Sequence, residues 1–181
     1  MCYNDDIFRN ALEDGLKEHG FYYKSDVDNI YSIAHKNKPD QITTVRLIGS
    51  EPIIEKVHGS KNNTEIKAIG YFRFNLSQGI DPNFYIFAFI NNPDKKVEFV
   101  IVPCNELKNR ITSRKCITYN DQGTEMRFWL LPDSYIFETT NIGAESDWWF
   151  VGGRMAIGTQ KDFTQFLNQW HVLEKCLKIN D

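Results

Sequence analysis

The chain has 181 residues, enough for one sizeable hydrophobic core and too few for two, so its length favours a single domain. Its longest uncharged apolar run, residues 84–90, is far shorter than the roughly 20 residues of a transmembrane helix, and the acidic start lacks the basic patch of a signal peptide. We therefore expect a cytoplasmic protein with no membrane partner. The formal net charge of −3 argues against a uniformly basic nucleic-acid binder, but a local basic face can coexist with an acidic remainder.

Two helices are predicted in the first part of the chain. Over residues 4–19, apolar side chains recur at spacings of three and four, and Gly20 follows as a stop signal. A second helix is predicted over residues 25–34, with Ser25 as its N-cap and apolar residues on one face. Residues 1–40 are accordingly expected to form a helical N-terminal part.

Short β-branched and aromatic runs separated by Gly, Pro, Asn and Asp then predict a sheet over residues 41–140. A turn at residues 91–94 joins two apolar strands into a hairpin, and a short helix is predicted after Pro103. We expect contiguous antiparallel pairing from residue 64 to residue 102. The predicted strands are 43–48, 53–58, 64–69, 71–76, 84–90, 97–102, 126–131 and 134–139.

An amphipathic pattern over residues 160–178 predicts a C-terminal helix. The whole pattern indicates an α+β fold: one domain over residues 1–181, with a mainly antiparallel or mixed β-sheet flanked by N- and C-terminal helices. The four cysteines show no CxxC spacing, so neither a zinc site nor a disulfide framework is indicated.

Glu65 and Lys67 lie two positions apart on a predicted strand and therefore project from the same face. Phosphodiester hydrolysis can use such a pair, because a carboxylate can hold a divalent metal with a second acid while a lysine orients the attacking water and stabilises the developing charge. Charged pairs at this spacing also occur on the solvated faces of many strands. Both interpretations stay open on the pair alone.

The sequence around this pair resembles the PD-(D/E)XK nuclease-like domains of restriction and homing endonucleases. In that group an ExK or QxK strand is followed by an aromatic strand ending in Asn, an apolar strand, a turn, and a strand ending in Ile/Val-Pro before a short helix. Residues 64–107 follow this order. The resemblance implies a restriction-endonuclease-like fold, with Glu65 as a metal-binding acid and Lys67 as the catalytic lysine.

The same resemblance requires a first acid, usually Asp, on the strand paired with the ExK strand. No Asp lies between Asp40 and Glu65, so the candidates are Glu55, Glu51 and the more distant Asp40. Glu55 is preferred because a turn at residues 59–63 can fold it back towards Glu65. The implied cofactor is Mg²⁺, held by Glu55 and Glu65, although a degenerate domain that does not cleave would look the same.

Contact with phosphates is one interpretation of a predicted basic cluster around the hairpin and the short helix, and solvated surface is the other. The cluster comprises Lys95, Lys96, Lys108, Arg110, Arg114 and Lys115. The resulting hypothesis is a metal-dependent DNA endonuclease of restriction or defence type, with a homodimer as one candidate assembly. The alternative is a catalytically inactive DNA-binding or protein-interaction module of a restriction, phage-defence or anti-defence system. The predicted DNA-binding residues are Arg73, Lys95, Lys96, Lys108 and Arg110.

Overall fold

The structure is a computed structural model that describes residues 5–51, 68–76, 81–91, 95–113, 123–131, 133–139 and 161–177. It confirms an α+β single domain with N- and C-terminal helices. Two short 3₁₀ turns, Val27–Asn29 and Thr164–Phe166, join the regular elements. In chain order these are α1 (Asp5–Glu18), β1 (Phe21–Ser25), β2 (Ile30–His35), β3 (Lys38–Gly49), β4 (Ala68–Phe74), β5 (Phe84–Asn91), β6 (Lys96–Pro103), α2 (Cys104–Ser113), β7 (Thr124–Leu130), β8 (Ile136–Glu138) and α3 (His171–Cys176).

Two sheets lie at the centre of the molecule. Sheet A has five strands in the order β1-β2-β3-β5-β6, and sheet B has three in the order β4-β7-β8. Every pair is antiparallel except β3 with β5, which is parallel. The mixed sheet expected from the sequence is thus confirmed.

The core lies on both faces of sheet A, because alternate residues of β5 are buried in opposite directions. On one face, Phe87 of β5 contacts Phe72 of β4, with ring centroids 5.1 Å apart, so sheet B packs on this side. On the other face, Ile86 belongs to a cluster with Leu12 of α1 and Leu173 of α3. The layers are therefore α1 with α3, then sheet A, and then sheet B together with α2. The predicted packing of the first and last helices on the sheet is confirmed.

The residues that precede α3, 161–170, contact the outer edge of β6, and we call them the C-terminal segment. Leu167 forms a β-bridge with Val100. The backbone N–H of Asn168 donates to the carbonyl of Phe99 at 2.7 Å, and the N–H of Phe99 donates to Asn168 Oδ1 at 2.9 Å. This segment therefore satisfies backbone groups that an open edge would leave unpaired. At the opposite edge of sheet A, β1 pairs only with β2 among the described strands.

Most local predictions are confirmed. The sequence correctly places four features: the first helix, the β5–β6 hairpin, the helix after Pro103, and the two strands β7 and β8 of sheet B. Along β4, Phe72 and Phe74 are buried and Arg73 is exposed, as the alternation predicts. Predicted strand 53–58 and the first part of 64–69 lie outside the described residues. None of the helices that the structure describes has the length and apolar character needed to cross a bilayer.

The predicted helix at residues 25–34 is wrong, and so is the helical description of residues 1–40. Asp28 and Asn29 adopt φ values of 59° and 57°, a left-handed conformation that Asp and Asn tolerate best among residues with a side chain. They form a turn, after which β2 buries Tyr31 and Ile33 alternately. The apolar residues of this range fit a helical spacing of three and four, but part of them also fits the alternation of a strand. The β-branched and aromatic residues of β2 favour the strand.

Contiguous antiparallel pairing from residue 64 to residue 102 is also wrong. β4 pairs with β7, and it stacks face to face on β5 instead of forming a ladder with it. The connection from Phe74 to Phe84 is longer than the two to five residues of a tight hairpin. That length lets β4 leave the plane of sheet A and form a second layer.

The predicted C-terminal helix over residues 160–178 is wrong for its first half, since the only α-helix described there is α3. The N–H of Phe163 donates to the carbonyl of Ile136 at 2.9 Å, and Leu167 bridges to β6. Asn168 has a φ of 52°, which interrupts any continuous helix. Backbone groups that a helix would use internally therefore bond to the two sheets.

Candidate nucleic-acid interface

The residues predicted to hold the metal and act on the water lie outside the described part of the chain: Glu55, Glu65 and Lys67. Within the described residues, no group of three His, Cys, Asp or Glu side chains is placed to hold a metal ion. The predicted basic residues, in contrast, are all described. They divide among three places in the fold.

The face of sheet B that points away from the core carries polar and aromatic side chains. Alternation along β4 and β7 buries every second residue and leaves the others partly or fully exposed on this surface. We call it the outer face of sheet B. Its cross-strand pairs are Ile69 with Trp129, Tyr71 with Arg127, and Arg73 with Glu125.

Arg73 lies between two acids on this outer face. Its Nε donates to Glu125 Oε1 at 3.0 Å and to the Tyr71 hydroxyl at 3.2 Å, and its Nη1 lies 3.8 Å from Glu51 Oε2. The hydrogen bonds with Tyr71 and Glu125 raise the pKa of the guanidinium above its usual value. The side chain of Arg73 is still 51% exposed, so its charge is accessible to a ligand.

Tyr71 is contacted by two guanidinium groups. The Cζ atoms of Arg73 and Arg127 lie 5.2 Å and 5.6 Å from the centre of its ring. Partial burial, and then the hydrogen bond with Glu125, raises the pKa of the Tyr71 hydroxyl. Arginine beside aromatic rings is the combination that contacts phosphates and stacks on bases in proteins that bind single-stranded nucleic acid. The outer face of sheet B carries this combination of side chains, together with the carboxylates of Glu51 and Glu125.

Residues 52–67, which we call the excursion, separate Glu51 from β4 in the sequence, and both of these flanking parts lie beside the outer face of sheet B. The N–H of Glu51 donates to the carbonyl of Tyr71 at 2.7 Å, and the N–H of Tyr71 donates to Ser50 Oγ at 3.0 Å. These contacts are on the edge of β4 opposite β7. Glu51, itself one of the candidate first acids, thus lies next to Arg73, and the described ends of the excursion that carries the predicted catalytic residues are joined here.

Lys95, Lys96 and Lys108 do not form one basic cluster. Lys95 and Lys96 lie at the tip of the β5–β6 hairpin, whereas Lys108 is on α2, beyond the other end of β6. At about 3.3 Å per residue, a strand as long as β6 separates its two ends by roughly 23 Å. Lys108 is also ion-paired with Asp81, which raises the pKa of its ammonium. The hairpin tip and α2 are therefore two separate surfaces.

Arg110 is a packing residue, being only 8% exposed. Its Nε donates to Glu106 Oε1 and its Nη1 to the carbonyl of Asp162, both at 2.6 Å. The guanidinium also lies over the rings of Phe163 and Phe166, with Cζ 4.7 Å and 5.1 Å from their centres. These contacts direct its charge at protein groups that hold the C-terminal segment against α2, and the structure does not bring Arg110 near Arg73.

Sequence reasoning missed Tyr71, Glu125, Arg127 and Trp129 as candidate functional residues. A signal for three of them was present, because they alternate with Met126, Phe128 and Leu130 in β7 and so form the polar side of a half-buried strand. What the sequence lacked was the identity of the partner strand. The β4–β7 pairing joins parts of the chain that are distant in sequence.

Comparison of the chain with protein-family models, with curated proteins and with solved structures found no match.

Proposed function

We propose that this chain is a Mg²⁺-dependent DNA endonuclease of restriction or defence type, in which Glu55 and Glu65 bind the ion and Lys67 acts on the attacking water. The observation that carries the proposal is the backbone closure between Glu51 and Tyr71. Glu55 is four residues after Glu51, no more than about 14 Å along an extended chain, and Lys67 directly precedes β4. The three residues thus belong to one excursion whose ends are tied together.

The order of elements after Glu65 and Lys67 supports the same proposal. The aromatic strand β4 is followed by the apolar strand β5, and then by β6, which ends at Pro103 and is followed at once by α2. This is the order on which the resemblance to PD-(D/E)XK domains rests. Likeness in the order of elements does not by itself fix an activity, so the proposal depends on the chemistry of the excursion.

The charges at the base of the excursion favour Glu55 over Glu51 as the first acid. Glu51 and Glu125 both face Arg73, whose positive charge disfavours a second cation between them. Carboxylate oxygens are the ligands that Mg²⁺ prefers, and Glu55 and Glu65 supply them. When bound, the ion supplies charge stabilisation at the scissile phosphate. Arg73 and Arg127 on the outer face of sheet B position the DNA backbone, and Lys67 stabilises the charge that develops in the transition state.

The decisive experiment measures cleavage of supercoiled plasmid and of short duplexes with MgCl₂ or MnCl₂. We expect the wild type to cut and Lys67→Ala to lose about a hundredfold or more in rate with little change in DNA affinity, because an interaction made mainly in the transition state is removed. Lys24→Ala is the matched control, since Lys24 is exposed on the distant strand β1.

Glu65→Gln tests the metal site in the same preparation. Titration calorimetry with MgCl₂ should show loss of binding together with loss of cleavage, whereas Glu18→Gln, at the exposed end of α1, should retain both. A wild-type protein that binds neither ion and cuts no DNA of any modification state rejects the endonuclease. Salt-dependent DNA binding without cleavage would then identify the inactive DNA-binding module, and absence of DNA binding would leave the protein-interaction module.

A further inference from the structure

A cavity of about 200 Å³ lies where β5 ends and β6 begins. One wall is polar and comes from sheet A and the C-terminal segment, and the other is apolar and comes from sheet B and the same segment. The volume is below the roughly 300–1,000 Å³ of sites for drug-sized ligands and far above the space for one water molecule. It suits a small metabolite. The side chains that matter are Asn91, Lys96, Glu98 and Asn168 on the polar wall and Leu130 and Leu167 on the apolar wall.

Glu98 places a buried negative charge in this cavity. Its side chain is 8% exposed, and its two oxygens each accept one amide hydrogen bond, Oε1 from Asn91 Nδ2 at 3.2 Å and Oε2 from Asn168 Nδ2 at 2.5 Å. Among the described residues, no basic side chain forms an ion pair with it. Neutral amides leave the charge in place, and a carboxylate has further lone pairs for another donor. A buried charge of this kind is stabilised by a cationic partner.

Lys96 supplies the opposite charge at the same cavity. It lies two positions before Glu98 on β6, so both side chains project from one face of the strand, with Cα atoms roughly 6.5 Å apart. Lys96 is exposed and takes part in no ion pair within the described chain. A ligand that is only a cation would meet the repulsion of Lys96, and one that is only an anion would meet that of Glu98.

We infer that this cavity binds a small zwitterion of the class of free α-amino acids, with its ammonium on Glu98 and its carboxylate on Lys96. The lining is mainly polar, and Leu130 and Leu167 are almost fully buried, so the two charged groups of the ligand carry the recognition and its side chain contributes little. The site contains none of the residues assigned to DNA hydrolysis. It shares only Lys96 with the predicted DNA-binding residues, so amino-acid binding does not depend on DNA cleavage.

Three probes that differ by one charged group test the inference: L-leucine, 3-methylbutylamine, which lacks the carboxylate, and 4-methylpentanoate, which lacks the ammonium. Saturation-transfer NMR on the full chain should detect L-leucine, with each of the other two bound at least about tenfold more weakly, as expected for loss of one charged hydrogen bond. Equal binding of all three probes contradicts the assignment. So does absence of binding by L-leucine, L-valine and L-alanine at millimolar concentration.

Variants connect the binding to the two charges. Lys96→Met should weaken L-leucine about tenfold, because the carboxylate loses its partner, and should strengthen 3-methylbutylamine, because the amine loses the repulsion of Lys96. Lys95→Met is the matched control, since Lys95 lies at the same hairpin tip but does not line the cavity. Glu98→Gln should abolish binding of L-leucine and the amine alike. Because Lys96 is exposed and its replacement leaves the core intact, unchanged L-leucine binding by Lys96→Met overturns the inference even if Glu98→Gln does not fold.

Discussion

Arg110 and Arg73 belong to regions that use the same side chain in opposite ways. At the junction of α2 with the C-terminal segment, Arg110 is buried against two phenylalanine rings and donates to a main-chain carbonyl. On the outer face of sheet B, Arg73 is half exposed and its partners are the surface groups of Glu51, Glu125 and Tyr71. The first region uses charge to join elements of the fold, and the second leaves its charge half exposed to solvent.

The two arginines differ in how much hydration the guanidinium loses when the protein folds. Arg110 loses nearly all its hydration, so each of its contacts is needed to compensate, and removing it leaves protein groups without partners. Arg73 keeps water on much of its surface, so its ion pairs contribute little to stability. A basic residue in a sequence therefore says nothing about ligand contact until its burial is known.

The largest expected effect on stability is at Arg110. Arg110→Ala should lower the free energy of unfolding by about 2–4 kcal/mol, because a nearly buried guanidinium that packs on two aromatic rings is removed, and the carbonyl of Asp162 and the carboxylate of Glu106 each lose this donor. Arg73→Ala should cost less than about 1 kcal/mol. Urea denaturation of both variants checks this, provided their m-values agree with the wild type. Similar losses for the two variants would remove the distinction between the regions.

A smaller effect, visible only with DNA present, is expected at Arg73. If its guanidinium contacts a phosphate, Arg73→Ala should flatten the slope of log affinity against log salt by about 0.9 for duplex DNA. Fluorescence anisotropy at a series of NaCl concentrations measures the slope, with Lys24→Ala as the control on β1. An unchanged slope in Arg73→Ala would exclude the outer face of sheet B as the DNA path.

The smallest expected effect concerns alkaline pH. Burial raises the pKa of Tyr85, which lies near Cys104 at the start of α2, and that of Tyr71 on the outer face. A raised folded-state pKa means that folding favours the protonated phenol, so this stability is present below the unfolded value near 10 and is lost as the pH rises above it. Urea unfolding midpoints measured at pH values about 1 unit apart, from pH 8 to 11, should decrease above pH 10.

Phenylalanine variants assign that fall to its sources. Tyr85→Phe should make the alkaline loss of stability smaller, since it removes a titrating group from the core between the sheets. Tyr71→Phe should change it less, because Tyr71 is partly exposed and its charged form is better solvated. The reverse order would show that the outer face contributes more to stability than its contacts indicate.

How much of this structure could be predicted depended on the distance in sequence over which each signal acts. Helix α1 and the β5–β6 hairpin follow from local spacing and turn residues, and both were predicted. The β4–β7 pairing and the β-bridge of Leu167 to Val100 join distant parts of the chain and left no local trace. A wrong helix at residues 25–34 arose because Asp28 and Asn29 form a turn that the apolar spacing does not reveal.

The candidate site shows the same limit. Charge and alternation predicted that Arg73 is exposed, yet they gave the same expectation for Arg110, whose burial depends on Phe163 and Phe166 docking from the far end of the chain. From the sequence alone, Tyr71 is an ordinary aromatic residue of a strand, because nothing local indicates that Arg127 lies opposite it. The roles of Glu55, Glu65 and Lys67 stay predictions.

The docking of Leu167 and Asn168 on β6 also sets the time at which this edge of sheet A becomes paired during synthesis. A ribosome completes the apolar hairpin of β5 and β6 long before it reaches the segment that covers its edge. Until then the nascent chain presents an unpaired strand edge, which is a template for pairing with another chain. A chain that stops before Lys161 lacks the residues that pair with Phe99 and Val100, so we expect premature termination there to favour aggregation in addition to the loss of one helix.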